Sequence, residues 1–399
     1  MTNNRSVTDR NRRFTKDYNR QQDIKSTDRG RDTMPAPYRA DHLGSFLRPA
    51  ELLRARDDFH VPADQVRTLE DRAALAILQK QQDLGFSIFT DGEVRRATFM
   101  SDFNDSVEGV NDDTTVHRSW QGAASTVATP LGVVTGKIRA KRRMTAHETA
   151  FLKQHAPGDI KMTLPTANQF PAISFKKGIT DKVYATPSAM LWDIVPVIKA
   201  EIAALVDEGV KYIQLDAPRY SYYCDPKWRD FIKNEMGMDP DAALDEAIRA
   251  DNACLEGARR PGVVLAIHLC RGNNRSQWYA QGGYDAIAEK MFTTLDVDRY
   301  LLEYEDERSG SFAPLRFMPK GKQVVLGIIS TKVAALESQA DMVKRVEAAA
   351  KVMPLDDLAV SPQCGFASTA PGNLLTEDEQ WAKMKLVVDV AKQVWGAAN

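Results

Sequence analysis

The chain has 399 residues, 43% of them hydrophobic and 27% charged, a globular balance with enough apolar material for a sizeable core. A formal net charge of -1 gives no electrostatic ground for a nucleic-acid or anionic-membrane partner. No run approaches the roughly 18 apolar residues that a membrane span needs.

In chain order, residues 1–35 contain almost no aliphatic side chains and mix Arg and Lys with Asp, Asn and Gln. Such a segment cannot bury enough apolar area to offset its chain entropy, so a disordered N-terminal tail is expected. Its aspartates argue against an organelle transit peptide. From residue 36 to 399 short β-rich runs alternate with stretches of helical periodicity. The runs are Tyr38–Phe46, Ser87–Glu93, Asp159–Pro165, Tyr212–Pro218, Val263–Cys270, Arg299–Glu305, Gln323–Ser330 and Leu358–Cys364. Helical patterns cover Ser188–Glu208, Asp241–Ala258, Tyr284–Leu295 and Lys332–Val352. This alternation predicts an α/β fold, a single (β/α)8 TIM barrel as the catalytic domain, over a doubly wound sheet, because no Gly-rich phosphate loop opens the first helix. One connection is too long for a simple unit. Residues 105–158 are read as an inserted excursion after the second strand, holding a β-hairpin (Ser125–Thr129 with Val133–Ile138) and a helix ending near His155.

Four cysteines, Cys224, Cys254, Cys270 and Cys364, are too few and too scattered for a disulfide scaffold. They read as reduced thiols of a cytoplasmic protein. Two of them end strand-like runs. In Val263–Arg271 the i, i+2 spacing puts His268 and Cys270 on one side of an extended strand. In a barrel the C-terminal strand ends converge, so Gly44, Ser45, Asp91, Glu93, Asp216, His268, Cys270, Glu303 and Cys364 are expected to face one mouth. Singly, each has an ordinary explanation: a hydrogen-bonded histidine, a small buried thiol, an ion pair of Glu303 with Arg299 or Arg308, of Glu93 with Arg39, Arg95 or Arg96, or of Asp216 with Arg219. Jointly, two thiolates, an imidazole and a carboxylate fill the tetrahedral shell of Zn2+. Glu303, the hardest ligand of the four, is the one an incoming substrate sulfur would displace.

These residues resemble a known family. HLC at 268–270, LEYE at 302–305 and SPQCG at 361–365 are similar to the metal-ligand motifs in the catalytic barrel of cobalamin-independent methionine synthase. The resemblance implies zinc at His268, Cys270, Glu303 and Cys364. It also implies that HLGSF at 42–46 holds a substrate carboxylate on the backbone of Gly44 and Ser45, and that Glu93 in FTDGEVRR and Asp216 in IQLDAP share the amine of homocysteine. It runs from about Tyr38 to Trp395 and is closer to single-barrel relatives than to members with a second, N-terminal barrel. The motif reads Asp-Ala-Pro at 216–218 where the family usually has Asp-Glu-Pro, and MTLPTANQF at 162–170 departs from the usual folate-side pattern.

The implied activity is methyl transfer to homocysteine, giving methionine, with Glu93, Asp216 and Glu303 as the working carboxylates. The donor is 5-methyltetrahydrofolate or a related folate, with a corrinoid protein as another source. The physical logic is that a thiol of pKa near 8.5 is mostly protonated at neutral pH, and coordination to zinc makes it a thiolate. Two alternatives stand beside it: a zinc barrel joining another thiol to another electrophile, as in coupling of coenzyme M to epoxides, and a non-catalytic barrel with a structural zinc.

Overall fold

The computed structural model describes residues 38–111, 120–121 and 132–398. The expected tail and the segment Ser125–Thr129 lie outside these residues. Seven strands form one curled parallel sheet in the order β1 (Ile88–Phe89), β4 (Asp159–Pro165), β5 (Tyr212–Asp216), β6 (Val264–Leu269), β7 (Arg299–Glu303), β8 (Gln323–Ile329) and β9 (Leu358–Pro362). A separate antiparallel pair joins β2 (Val107–Asn111) to β3 (Val133–Ala140).

The central strands are near-continuous apolar runs, as expected where helices cover the outside and side chains fill the inside. Every residue of β5, β6, β7, β8 and β9 is buried. The two faces separate by period two. Leu265, Ile267 and Leu269 join the large core under the helices, whereas Val264 and Ala266 join a smaller cluster with Ile88, Tyr212, Leu301, Val325 and Ala359 on the concave side. Continuing that inner series along the chain reaches His268 on β6, Asp216 on β5 and Glu303 on β7.

The covering helices carry ordinary start signals. Pro187–Asp207 begins at Thr186, whose side chain accepts from the Ala189 N–H, and buries Leu191, Ile194, Ile198, Ile202 and Leu205 at helical spacing. Glu377–Trp395 begins with a reciprocal capping box between Thr376 and Glu379. Among the described residues no helix is long and apolar enough to cross a membrane.

One expectation needs correction. Tyr38–Phe46 is not a strand: it makes a single parallel bridge, Ala40 to Val360 on β9. Beyond it the backbone turns at Gly44 (φ +109), and its remaining links are irregular, from the His42 ring to the Ile88 carbonyl and from the Phe46 N–H to the Gly92 carbonyl. Among the described residues the regular sheet therefore has seven strands where eight were expected. In the excursion, Val133–Ala140 pairs with Val107–Asn111, a pairing that was not expected; the expected partner Ser125–Thr129 lies outside the described residues. The helix at its end is present as Ala146–His155.

Candidate active site

A cleft opens at the C-terminal ends of the strands, and Ser45, Glu93, Asp216, His268, Cys270 and Cys364 all line it. Strand register explains the inner wall: Asp216 lies directly opposite His268 on the neighbouring strand. Cys270 follows two residues later, and Cys364 arrives just past β9.

The donor atoms of His268, Cys270 and Cys364 lie within 4.8 Å of one another, all three buried. His268 Nδ1 is 3.2 Å from the Leu301 carbonyl, which fixes the proton there and turns the Nε2 lone pair inward. Nε2 makes no hydrogen bond to nitrogen or oxygen. A hydrogen bond from Cys270 holds the Cys364 thiol well below its usual range, with His268 helping against burial. The same bond and burial push Cys270 well above it. Two adjacent thiols and an inward imidazole nitrogen suit a soft-to-borderline cation, and zinc fits this donor set.

Glu303 is placed behind this group rather than within it. It has no exposed surface, its Oε2 accepts from the Arg271 N–H at 2.6 Å, and its Oε1 lies 3.7 Å from Arg308 without a hydrogen bond. One carboxylate oxygen is committed and the other is not.

Glu93 reaches the cleft through a strained turn. Gly92 and Glu93 both have positive φ, +78 and +55, held by the Asp91 carboxylate accepting from the Glu93 N–H and by Arg48 donating to the Glu93 carbonyl. Its Oε1 accepts from Thr163 at 2.7 Å, and its Oε2 is buried without a partner. Gly44 is required here, since a Cβ would stand 2.8 Å from Glu93 Oε1. Gly365 plays the same part opposite, because a Cβ there would meet the Ser45 hydroxyl.

Burial raises the carboxyl of Glu93, with Arg96 opposing, and pushes Asp216 up to about 7, with His268 opposing and Glu93 adding to the rise. Asp216 Oδ1 accepts from Gln214 at 2.8 Å. Of the ordinary ion pairs, the one between Glu93 and Arg96 is present, whereas Asp216 has none among the described residues. Arg96 is engaged by both oxygens of Glu148 at 2.7 Å and stands 3.6 Å from Glu93, Arg95 pairs with Asp71, and Arg39 donates to backbone carbonyls. Arg219 stacks on tyrosines instead of meeting Asp216. Sequence reasoning missed Trp120, Gln169, Asn273 and Tyr279, which also line the cleft. They sit on connecting segments whose contribution no periodicity announces, although NNRSQWY after the His-x-Cys strand is a polar and aromatic loop in the position where barrels place binding residues.

Residues 40–393 match the model of the cobalamin-independent synthase catalytic domain. The uncharacterized protein YxjH of Bacillus subtilis is 37% identical over 366 residues, covering 90% of this chain and 95% of that protein. The methionine synthase of Pyrococcus abyssi is 22% identical over 330 residues, covering 81% of this chain and 85% of that one. The fold is similar to that of a B12-independent methionine synthase from Shewanella sp. W3-18-1, solved in complex with selenomethionine, with a TM-score of 0.71 at 18% identity over 90% of this chain and 98% of that one. With nearly the whole described chain inside the matched region, this protein belongs to the family of the cobalamin-independent synthase catalytic domain.

Proposed function

We propose that this chain is a zinc-dependent methyltransferase that moves a methyl group from a folate-type donor to the sulfur of homocysteine, giving methionine. The observation that carries the reading is the meeting of two thiols and an inward imidazole lone pair in the same cleft as two buried carboxylates. His268, Cys270 and Cys364 would hold the metal, with the uncommitted oxygen of Glu303 as the ligand that yields to substrate. When bound, zinc supplies the positive charge that keeps a substrate thiol deprotonated at neutral pH.

The rest of the work falls to the chain itself. Glu93 Oε2, unpartnered, and the Asp216 carboxylate receive the substrate ammonium, and its arrival compensates the burial that raises both groups. Ser45 and the Gly44 backbone orient the substrate carboxylate. Leu43, Phe99, Trp120 and Tyr279 line the same cleft with apolar surface, which limits water around the reacting sulfur. An anionic thiol such as coenzyme M would meet two carboxylates, so the site selects an amino-acid thiol. The family's independence of cobalamin leaves a corrinoid donor without support.

The test is a cobalt-substituted protein followed by absorption as thiols are added. Homocysteine should alter the metal spectrum while coenzyme M leaves it unchanged, and methionine should form when 5-methyltetrahydrofolate is present. A spectrum that responds only to another thiol removes homocysteine as substrate. Replacement of Glu303 by Gln separates a catalytic from a structural metal: turnover falls in the first case, and stability alone changes in the second.

A further inference from the structure

We propose that a second cavity beside the cleft is a carboxylate-binding subsite with Arg219 as its anchor. Arg219 follows Asp216 by three residues, on the short helical turn Pro218–Tyr220, and is 2% exposed. None of its three guanidinium nitrogens has a hydrogen-bond partner among the described residues. Its charge rests only on ring faces, 4.5 Å from the Tyr222 centroid and 5.2 Å from that of Tyr279.

Other deeply buried arginines keep acceptors: Arg96 is clasped by Glu148, Arg299 by Asp41 and Gln323, Arg48 donates to four backbone carbonyls, and Arg271, which also lies over a tyrosine, still donates to the Gly282 carbonyl. A buried cation without an acceptor forfeits its hydration and gains little in return, since two π faces offset only part of that cost. An anion that entered beside it would find five unclaimed N–H donors.

Arg219 forms part of the wall of a small cavity that opens to solvent. The remaining wall is largely apolar, with Pro171, Leu191, Ile232 and Met238 prominent. The carboxylate on that wall, Glu246, has its Oε1 occupied by Ser188 and Trp192. Among the described residues no second cation lines the space, so the site matches one negative charge on a planar, forked group attached to an apolar body. That is an organic carboxylate rather than a phosphate dianion. Tyr279, which Arg219 faces, lines the first cleft too, so the anchor stands beside the shared boundary of the two spaces. The acid can be a carboxylate of the methyl donor or a separate small organic acid.

The experiment measures binding by calorimetry and does not depend on turnover or metal, so its failure is distinct from failure of the methyl-transfer reading. Benzoate is the probe and benzamide its neutral counterpart. Benzoate should bind the full chain saturably, with benzamide about 10-fold weaker or more, and Arg219→Met should lose about 10-fold or more in benzoate affinity. Met238→Trp, which fills the cavity with Arg219 intact, should abolish binding and guards against a folding defect in the first variant. Displacement of benzoate by 5-methyltetrahydrofolate assigns the site to the donor, and simultaneous binding of both assigns it to a separate acid. Equal affinity in the wild type and Arg219→Met, or no saturable benzoate binding, overturns the proposal.

Discussion

The two ends of the curled sheet both bury polar groups, and they treat them in opposite ways. At the N-terminal ends, Asp41 accepts from Lys161 at 2.6 Å, Tyr212 at 2.8 Å and Arg299 at 3.1 Å, while Lys161 also donates to Gln214 and Arg299 to Gln323. Donors and acceptors are matched in place. At the C-terminal ends, among the described residues, Glu93 Oε2 and Glu303 Oε1 are buried without hydrogen-bond partners and His268 Nε2 meets no nitrogen or oxygen. Buried polar groups in folded proteins are nearly always satisfied, so a cluster of exceptions at one end marks where the fold holds capacity for something it does not itself contain. The matched end spends its polar groups on closing the sheet.

The largest effect expected from breaking the contrast is at the matched end. Asp41→Ala strands Lys161 and Arg299 as buried cations and should cost about 3–5 kcal/mol of stability in a denaturant titration. Zinc bound per folded chain should not change. A loss below about 1 kcal/mol would mean that the network is not what holds this end together. At the open end, Cys364→Ser removes one metal donor, and metal affinity measured against a chelator should fall about 100-fold or more, with activity following it. Retention of full metal affinity would exclude the three-residue centre. Asp216→Asn is subtler: it keeps the shape and the Gln214 contact and removes a charge, so KM for homocysteine should rise about 10- to 100-fold at unchanged zinc content. An unchanged KM would release Asp216 from ammonium binding.

The smallest effect concerns Asp251, which belongs to neither pattern. It is fully buried and accepts from the Tyr220 hydroxyl at 2.8 Å and from the Asn168 backbone, and burial pushes its carboxyl up to about 7, with those hydrogen bonds opposing. Between the ordinary carboxyl range and pH 7 the folded chain keeps this proton while the unfolded chain has lost it. The group therefore stabilises the fold at acidic pH, and that contribution is lost as pH rises toward 7. Asp251→Asn, which cannot ionise, should flatten that decline by on the order of 1 kcal/mol, read from melting curves between pH 5 and 8. A slope identical to wild type would show that Asp251 is ionised in the fold.

Where local pattern and burial agree, the elements were legible. Asp159–Pro165 has the bounds its pattern indicated, and Gln323–Ile329 and Arg299–Glu303 begin where expected, because a strand buried on both faces is a continuous apolar run bounded by turn residues. Tyr38–Phe46 misled for a physical reason. Asp41 and His42 are held by contacts with Lys161, Tyr212 and the Ile88 carbonyl, not by a strand ladder. The partner of Val133–Ala140 was hidden because antiparallel pairing is decided by proximity of chain segments, which turn chemistry alone does not encode.

The sequence by itself determined that His268 and Cys270 share a side, since a period of two leaves a strand no choice. It also determined that Asp216 and Glu303 end neighbouring apolar runs. Only the tertiary structure decided that Cys364, nearly a hundred residues further on, brings its sulfur to the same point, that Glu303 keeps one oxygen on the Arg271 N–H, and that Arg219 turns from Asp216 to stand between two tyrosine rings. Periodicity fixes the side on which a residue lies, because that is a property of local backbone geometry. Which groups meet there, and which are left without partners, depends on how the whole sheet curls.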